Sequence, residues 1–435
     1  MFNKIKNNLF LKSTLILLIG GILGKAVGFI IRIIVIRNLS THTIGLYSML
    51  SGITSLLTVL AVFSYSNAIS KYISDETSRA KVIFTSIIPA SFVINIFIIF
   101  IVINTSKFLS INLLKEDELY LPIICISLTM PFMSISAIIK GFFWGKQNMS
   151  PYILSNFIEQ VVRLILIILF LKKILLISEI YAVCFIILIN IIGEISSQIV
   201  MIMYMPRIKM KIRDFKINIQ EIIKIYKYCI PATFSRILGS ISYFLEPIVI
   251  TNILLYVGYS KSFITNEYGI INAYSLSLLL LPQFITQNMS TSLIPELSKN
   301  FKLRKIDLCK KRIKQIIIFS CLIGLISTLM IVIFPNFFLK LIYNTNKGIE
   351  YIYLLAPFTI LFYIENPLIN ALSSLGDTKR IFYITLKTSI VRIVSIIVFS
   401  LFRIGMYSLV ISIIINLVYS TYLYYKEINK LLVIW

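Results

Sequence analysis

Six basic side chains lie inside runs of apolar residues that are long enough to cross a lipid bilayer. They are Lys25, Arg32, Arg163, Arg236, Lys387 and Arg392. A cation at mid-bilayer costs roughly 2.5–3.5 kcal/mol unless it faces protein, water or a counter-ion, so six such cations would cost roughly 15–20 kcal/mol. We therefore expect these side chains to face an interior cavity, and a cationic cavity within a membrane attracts an anion.

Four carboxylates share the same apolar segments. They are Glu159, Glu194, Glu246 and Glu365. Glu159 and Arg163 stand four residues apart, in the order that favours an intrahelical ion pair, so we expect this pair to neutralise itself. Arg236 and Glu246 are ten residues apart on one segment, and each needs a partner elsewhere. Six cations against four carboxylates leave the interior positive. A bound diphosphate would balance that charge, since Lys and Arg are its natural donors.

The first apolar segment carries a stripe of small residues beside two of the cations. The small residues are Gly20, Gly24 and Gly28. This spacing is typical of close helix packing. Lys25 and Arg32 are seven residues apart on a neighbouring face, where two like charges repel unless an anion lies between them. We take Lys25, Arg32 and Arg236 as the candidate substrate-binding residues, although Arg32 could instead extend to the membrane surface.

The other intramembrane charges are candidates for lining the cavity or for coupling. They are Glu159, Arg163, Glu194, Glu246, Glu365, Lys387 and Arg392. A carboxylate buried in apolar surroundings can titrate near neutral pH and so couple transport to protons. The sequence leaves open whether H+, Na+ or the membrane potential is used, and it indicates no cofactor.

The composition, with 58% hydrophobic and 14% charged residues, excludes an ordinary soluble domain. A spanning helix needs about 20 apolar residues. Twelve segments qualify: 13–36, 43–66, 82–103, 119–139, 152–171, 180–203, 228–256, 268–287, 315–338, 351–373, 381–402 and 405–424. We predict an all-α polytopic membrane protein.

The charge distribution along the loops predicts the orientation. If both termini are cytoplasmic, the loops on that side hold 27 of the 42 Lys and Arg, and the opposite loops hold 9. This asymmetry follows the positive-inside rule for a multi-pass protein of the plasma membrane. The basic stretches 207–227 and 299–314 would attract anionic lipid headgroups. The same distribution argues against nucleic acid as the partner of a chain with a formal charge of +24.

Neither a metal site nor a nucleophilic active site has its parts in this sequence. The five cysteines are scattered without a CxxC motif, and His42 is the only histidine. We therefore expect no metal and no enzymatic activity.

The chain repeats itself weakly at a separation near 224 residues. Gly45 aligns with Gly269, and Ser66 aligns with Ser290. Six spans per half keep the second half in the orientation of the first, so the repeat is parallel. We predict an N-terminal six-helix lobe at 1–203, a basic cytoplasmic linker at 204–227 and a C-terminal six-helix lobe at 228–435. Transporters of this plan place the substrate between their halves and rock the halves against each other.

Several stretches, in order along nearly the whole chain, carry a family resemblance. They are LKSTLILLIGGILGKAVGFIIRIIVIRNLSTHTIGLYSML followed by SNAISKYISDE, KGFFWGKQNMSPYILSNFIEQVVR, IPATFSRILGSISYFLEPIVI, LLLLPQFITQNMSTSLIPELSKNF and NALSSLGDTKR. Together they resemble the stage V sporulation protein B family. This family belongs to the superfamily of multidrug and toxin extrusion transporters, polysaccharide flippases and the lipid II flippase.

The resemblance implies a flippase for undecaprenyl-diphosphate-linked saccharides, such as precursors of peptidoglycan or of other wall polymers. It also implies that cavity cations hold the diphosphate, and Lys25, Arg32 and Arg236 occupy the matching positions, with Lys25 where arginine is commoner. We name wall-synthesis enzymes as further candidate partners. Related flippases often have fourteen spans, whereas twelve are predicted here.

Three other functions remain as alternatives. A cation or drug antiporter of the same fold would rely on Glu194, Glu246 or Glu365, and the positive excess of the spans argues against it. An intramembrane glycosyl- or acyltransferase would need an acid–base or metal constellation, which the sequence lacks. A scaffold for wall-synthesis enzymes would tolerate the loss of every buried charge.

Overall fold

The structure, a computed structural model, describes residues 9–75, 80–146, 148–205 and 219–434. Every regular element in these ranges is helical, and none of them is a β-strand. Apolar segments fold as helices because a helix satisfies its backbone hydrogen bonds internally, without water. The predicted all-α fold is confirmed.

Eight helices precede residue 206. They are α1 (Leu9–Asn38), α2 (Thr41–Val62), α3 (Tyr65–Asp75), α4 (Ala80–Lys107), α5 (Tyr120–Leu128), α6 (Met130–Gly145), α7 (Ser150–Leu175) and α8 (Glu179–Met203). A π-helical turn, Phe108–Leu113, follows α4, and a 3-10 turn, Asp117–Leu119, precedes α5.

Eight further helices follow residue 218. They are α9 (Ile219–Val257), α10 (Lys261–Gly269), α11 (Gln283–Lys302), α12 (Ile306–Ile333), α13 (Pro335–Tyr343), α14 (Ile349–Ser374), α15 (Thr378–Leu401) and α16 (Tyr407–Ile434). Between α10 and α11 the chain forms a π-helical segment, Ile270–Leu276, and a short helical turn, Ser277–Leu279.

The described residues contain ten helical stretches that are long and apolar enough to cross a membrane. A bent pair, 261–279 with α11, would make an eleventh. Helix α1 has 30 residues, which extends about 45 Å at 1.5 Å per residue, and it covers the first predicted segment. Among the described residues the structure thus gives ten or eleven candidate spans, where the sequence predicts twelve. The predicted segment 268–287 does not lie on one helix, because it runs through the π-helical segment and the bend before α11. The chain is a multi-pass membrane protein.

Cα packing groups the chain into two compact units. Unit 1 comprises residues 1–32 and 50–244, and unit 2 comprises residues 33–49 and 245–435. Helices α7 and α8 pair in unit 1 as α15 and α16 pair in unit 2, and α3 packs on α6 as α11 packs on α14. These matched pairings are consistent with the predicted repeat. The lobe boundaries at 203 and 228 stay a prediction, and most of the linker, 206–218, lies outside the described residues.

Unit 1 has its core where α3, α4, α6 and the first half of α9 meet. Phe84, Phe142 and Ile225 are buried in this cluster. Between α2 and α3, Phe63 and Ser64 adopt positive φ angles of 43° and 53°, a conformation that costs an L-residue about 1–2 kcal/mol. The Ser64 hydroxyl accepts a hydrogen bond from Thr233 of α9 at 3.1 Å, which holds the break against α9.

Unit 2 contains a close crossing of α2 and α10. A Cβ atom placed on Gly269 would lie 2.6 Å from the backbone nitrogen of Gly45, and one on Gly45 would collide with the Thr265 carbonyl group. Only glycine permits such a backbone approach. The two glycines are the positions that the predicted sequence repeat aligns with each other, and they contact each other within unit 2.

Candidate functional site

Helix α1 presents two of the predicted cations in unit 1. Lys25 and Arg32 both have exposed side chains. The glycine face of the helix packs on α7, where Gly20 contacts Ile153 and a Cβ on Gly28 would lie 3.4 Å from Gln160 Oε1. The interpretation of the glycines as packing residues is therefore confirmed for Gly20 and Gly28.

Helix α9 presents the third predicted cation, Arg236, also exposed and also in unit 1. This part of α9 is fixed by polar contacts with α2 and α3. The hydroxyls of Tyr65 and Tyr226 are 2.6 Å apart, and Ser55 donates to Ser240, one turn after Arg236. The three candidate substrate cations thus belong to one compact unit and sit on two helices.

Arg163 differs from these exposed cations because it forms an ion pair with a buried carboxylate. Its guanidinium donates to Glu159 one turn earlier on α7, at 2.5 Å, and Glu159 is only 6% exposed. The predicted intrahelical ion pair is confirmed. The Arg163 side chain also packs on Gly193 of α8, where a Cβ would lie 2.6 Å from Nε. Arg163 therefore stabilises the α7–α8 contact.

Glu194 of α8 has a partner that sequence reasoning missed. Lys140 Nζ lies 3.9 Å from Glu194 Oε2, and Glu194 is 7% exposed. Lys140 lies one residue outside the predicted apolar segment 119–139, whereas α6 continues to Gly145. The missing signal is the apolar run Phe142, Phe143 and Trp144, which follows Lys140 and continues the helix.

In unit 2, Glu246 is the centre of a buried polar group. Arg392 Nε of α15 donates to its carboxylate at 2.6 Å, and the Tyr268 hydroxyl of α10 donates at 3.1 Å. Glu246 is 3% exposed. The expectation that Glu246 needs a partner on another helix is confirmed. The group joins α9, α10 and α15, so Arg392 is structural in the same sense as Arg163.

Glu365 and Lys387 have other surroundings. Glu365 of α14 accepts a hydrogen bond from the Ser420 hydroxyl of α16 at 2.7 Å. Lys387 is exposed on α15, and five residues place it about 140° around the helix from Arg392. Its side chain therefore points away from the Glu246 group.

These contacts revise the expected charge balance. Ion pairs occupy three of the four carboxylates, Glu159, Glu194 and Glu246. Because Lys140 joins the intramembrane set, the interior is more positive than the sequence indicated. The cations on exposed positions are Lys25, Arg32, Arg236 and Lys387. Within the described ranges, no cluster of three or more His, Cys, Asp or Glu could hold a metal ion.

Comparisons with known protein families and with individual proteins agree with this architecture. The family model described as "Polysaccharide biosynthesis protein" matches residues 10–301, and the MatE model matches residues 271–398. Stage V sporulation protein B of Bacillus subtilis (strain 168) is 29% identical over 378 residues, which cover 84% of this chain and 73% of that protein.

Two solved structures share the fold. An inward-facing multidrug-resistance MATE transporter of the MOP superfamily superposes with a TM-score of 0.72 at 13% identity, covering 94% of this chain and 98% of that chain. The lipid II flippase MurJ, in an inward closed conformation, superposes with a TM-score of 0.71 at 15% identity, covering 96% of this chain and 87% of that chain. At such identities the likeness establishes the fold alone.

Proposed function

Because this chain belongs to the polysaccharide biosynthesis protein family, whose members are membrane transporters and flippases rather than enzymes, we propose that it flips an undecaprenyl-diphosphate-linked saccharide. The saccharide would be a precursor of peptidoglycan or of another wall polymer. It would be carried outward across the plasma membrane, with both termini of the protein in the cytoplasm. Anionic lipids and wall-synthesis enzymes are the further partners that we propose.

The observation that carries the proposal is the division of the intramembrane cations into two kinds. Arg163 and Arg392 are half-buried and paired with buried carboxylates, whereas Lys25, Arg32 and Arg236 are exposed in one unit. A diphosphate offers several anionic oxygens, and Lys and Arg donors bind such oxygens strongly. The exposed set therefore has the charge and the donors for an anionic headgroup.

The transport step follows from this binding mode. Lys25, Arg32 and Arg236 would capture the diphosphate from the cytoplasmic side while the polyprenyl tail stays in the bilayer. A conformational change that alternates access would then release the headgroup outside. We propose no cofactor, and H+, Na+ or the membrane potential are the candidate driving forces.

Native mass spectrometry of the detergent-purified protein tests the proposal. We expect the protein to retain undecaprenyl diphosphate in preference to undecaprenol, its neutral alcohol. Arg32→Ala and Arg236→Ala should each lose at least tenfold in affinity for the diphosphate, since each removes a charged hydrogen bond. Lys340→Ala, which removes an exposed cation from α13, is the matched control. Equal retention of both lipids would contradict the proposal.

A cation or drug antiporter of the same fold is the second candidate, and Glu365 is the residue that favours it. This carboxylate is half-buried on α14 and accepts a hydrogen bond from a hydroxyl, which is a setting in which a carboxylate can exchange a proton. If this function is correct, Glu365→Gln abolishes efflux of a cationic dye from cells. Undiminished efflux would remove the residue from that role.

A further inference from the structure

Gln160 of α7 occupies the notch that Gly28 leaves in α1. A Cβ on Gly28 would lie 3.4 Å from Gln160 Oε1 and 3.9 Å from Gln160 Cδ. Lys25 is three residues before Gly28 and Arg32 is four residues after it, so both cations project from the same side of the helix as the notch. The amide of Gln160 therefore lies between the two cations along the axis of α1.

The packing of α7 explains why Gln160, rather than its neighbours, reaches this notch. Glu159 and Arg163 pair with each other, and Arg163 packs on Gly193 of α8. Ile153 and Gln160 form a neighbouring face, about 90° around the helix, which meets α1 at Gly20 and Gly28. On both helices the contact point moves toward the C-terminus, from Gly20 with Ile153 to Gly28 with Gln160. Helices α1 and α7 are therefore parallel, as expected for the first and fifth predicted segments.

Between these two contact points the α1 surface is open. A Cβ on Gly24 would meet no described heavy atom within 4 Å. The opening is flanked by Lys25 on α1 and by the half-buried Gln160 on α7. A site with two cations, an amide and free space suits an anionic oxygen group, because the amide adds two N–H donors without cancelling positive charge.

We infer that Gln160 is a binding residue of the anion site, where its amide N–H donates to a phosphate oxygen held by Lys25 and Arg32. This inference rests on the proposed function, because it takes the diphosphate as the anion. It also gives a reason for a neutral residue at this position. A carboxylate at position 160 would pair with Lys25 and Arg32 and would compete with the ligand for both.

The test compares three variants for retention of undecaprenyl diphosphate by native mass spectrometry. Gln160→Glu should bind at least tenfold more weakly, because its carboxylate neutralises the cations and repels the phosphate. Gln160→Ala should bind about three- to tenfold more weakly through loss of one hydrogen bond. Asn148→Glu adds the same charge at an exposed position before α7 and should bind as the unaltered protein does.

Two outcomes separate this inference from the proposed function. If Arg32→Ala loses the diphosphate and Gln160→Glu keeps it, the inference about Gln160 is wrong and the flippase proposal stands. If neither Arg32→Ala nor Gln160→Glu changes retention, the diphosphate site itself is wrong. Retention of undecaprenol should stay constant in every variant, and a general loss of lipid in Gln160→Glu would overturn the inference by indicating a change of fold.

Discussion

At the scale of single residues, the Arg392–Glu246 pair should contribute more to folding than any exposed cation. Arg392→Ala leaves the Glu246 carboxylate buried without its counter-charge, which costs about 3–5 kcal/mol. We expect a clearly lower melting temperature of the detergent-solubilised protein. Lys387→Ala, which removes an exposed cation from the same helix, should change it little. Equal melting temperatures for the two variants would contradict a structural role for Arg392.

The double variant Arg392→Met with Glu246→Leu tests whether Arg392 stabilises the fold only by neutralising the Glu246 carboxylate. Apolar residues of similar volume often replace a buried ion pair without loss of stability. We expect the double variant to recover most of the stability that Arg392→Ala loses, measured by the same melting experiment. A double variant as unstable as Arg392→Ala would show that the pair stabilises the fold by more than neutralising Glu246.

Spacing along one helix made the Glu159–Arg163 pair predictable, because four residues bring two side chains together whatever the tertiary fold. The pairing of Glu246 with Arg392 was predictable only as a need for some partner, since 146 residues separate them. The sequence did not predict the contacts of Lys140 and Gln160, for different reasons. Lys140 directly follows the predicted segment that ends at residue 139, although its helix continues to Gly145. Gln160 carries no charge, so its place beside Gly28 emerges only from helix packing.

At the scale of helices, the crossing of α2 and α10 should be intolerant of any added side chain. We expect Gly45→Ala to destabilise the protein strongly, because its methyl group would collide with the Thr265 carbonyl group and overpacking typically costs about 1–3 kcal/mol. Thermal unfolding measures the effect. Gly24→Ala is the matched control, since that site on α1 is open. Equal melting temperatures would mean that the helices separate freely at this point.

Helix positions were far more predictable than helix breaks. Apolar length located most of the long helices, because a run of about 20 apolar residues is long enough to cross a bilayer as a helix. The bend before α11 has a sequence signal in Pro282, which cannot donate a helical hydrogen bond. The break at Phe63 and Ser64 has none, since neither residue favours positive φ. Contacts with α9, such as the Thr233–Ser64 hydrogen bond, maintain it instead.

At the scale of the whole molecule, the hairpin between α11 and α12 concentrates positive charge at one end of two membrane helices. Its exposed cations are Lys299, Lys302, Arg304, Lys305, Lys310, Lys311, Arg312 and Lys314. Leu303 and Leu308 are also exposed there, at 55% and 46%. Cations beside exposed apolar side chains favour the headgroup boundary of an anionic leaflet. Substituting Lys302, Arg304 and Lys305 by Gln should reduce the phosphatidylglycerol retained in native mass spectrometry, whereas phosphatidylcholine retention should stay the same.

The same asymmetry predicts which side of the membrane each loop faces. Lys302, at the end of α11, and Lys261, at the start of α10, are both exposed. We predict that the bent pair between them crosses the membrane once, which would place the two side chains on opposite sides. With the five native cysteines replaced by serine, a membrane-impermeant maleimide added to intact cells should label Lys261→Cys and spare Lys302→Cys. The physical reason is that the loops between the predicted segments would then hold 27 of the 42 Lys and Arg on the cytoplasmic side, with Lys140 counted among them, as the positive-inside rule requires. Labelling of Lys302→Cys alone would invert the topology, and the basic hairpin could not then meet the cytoplasmic leaflet.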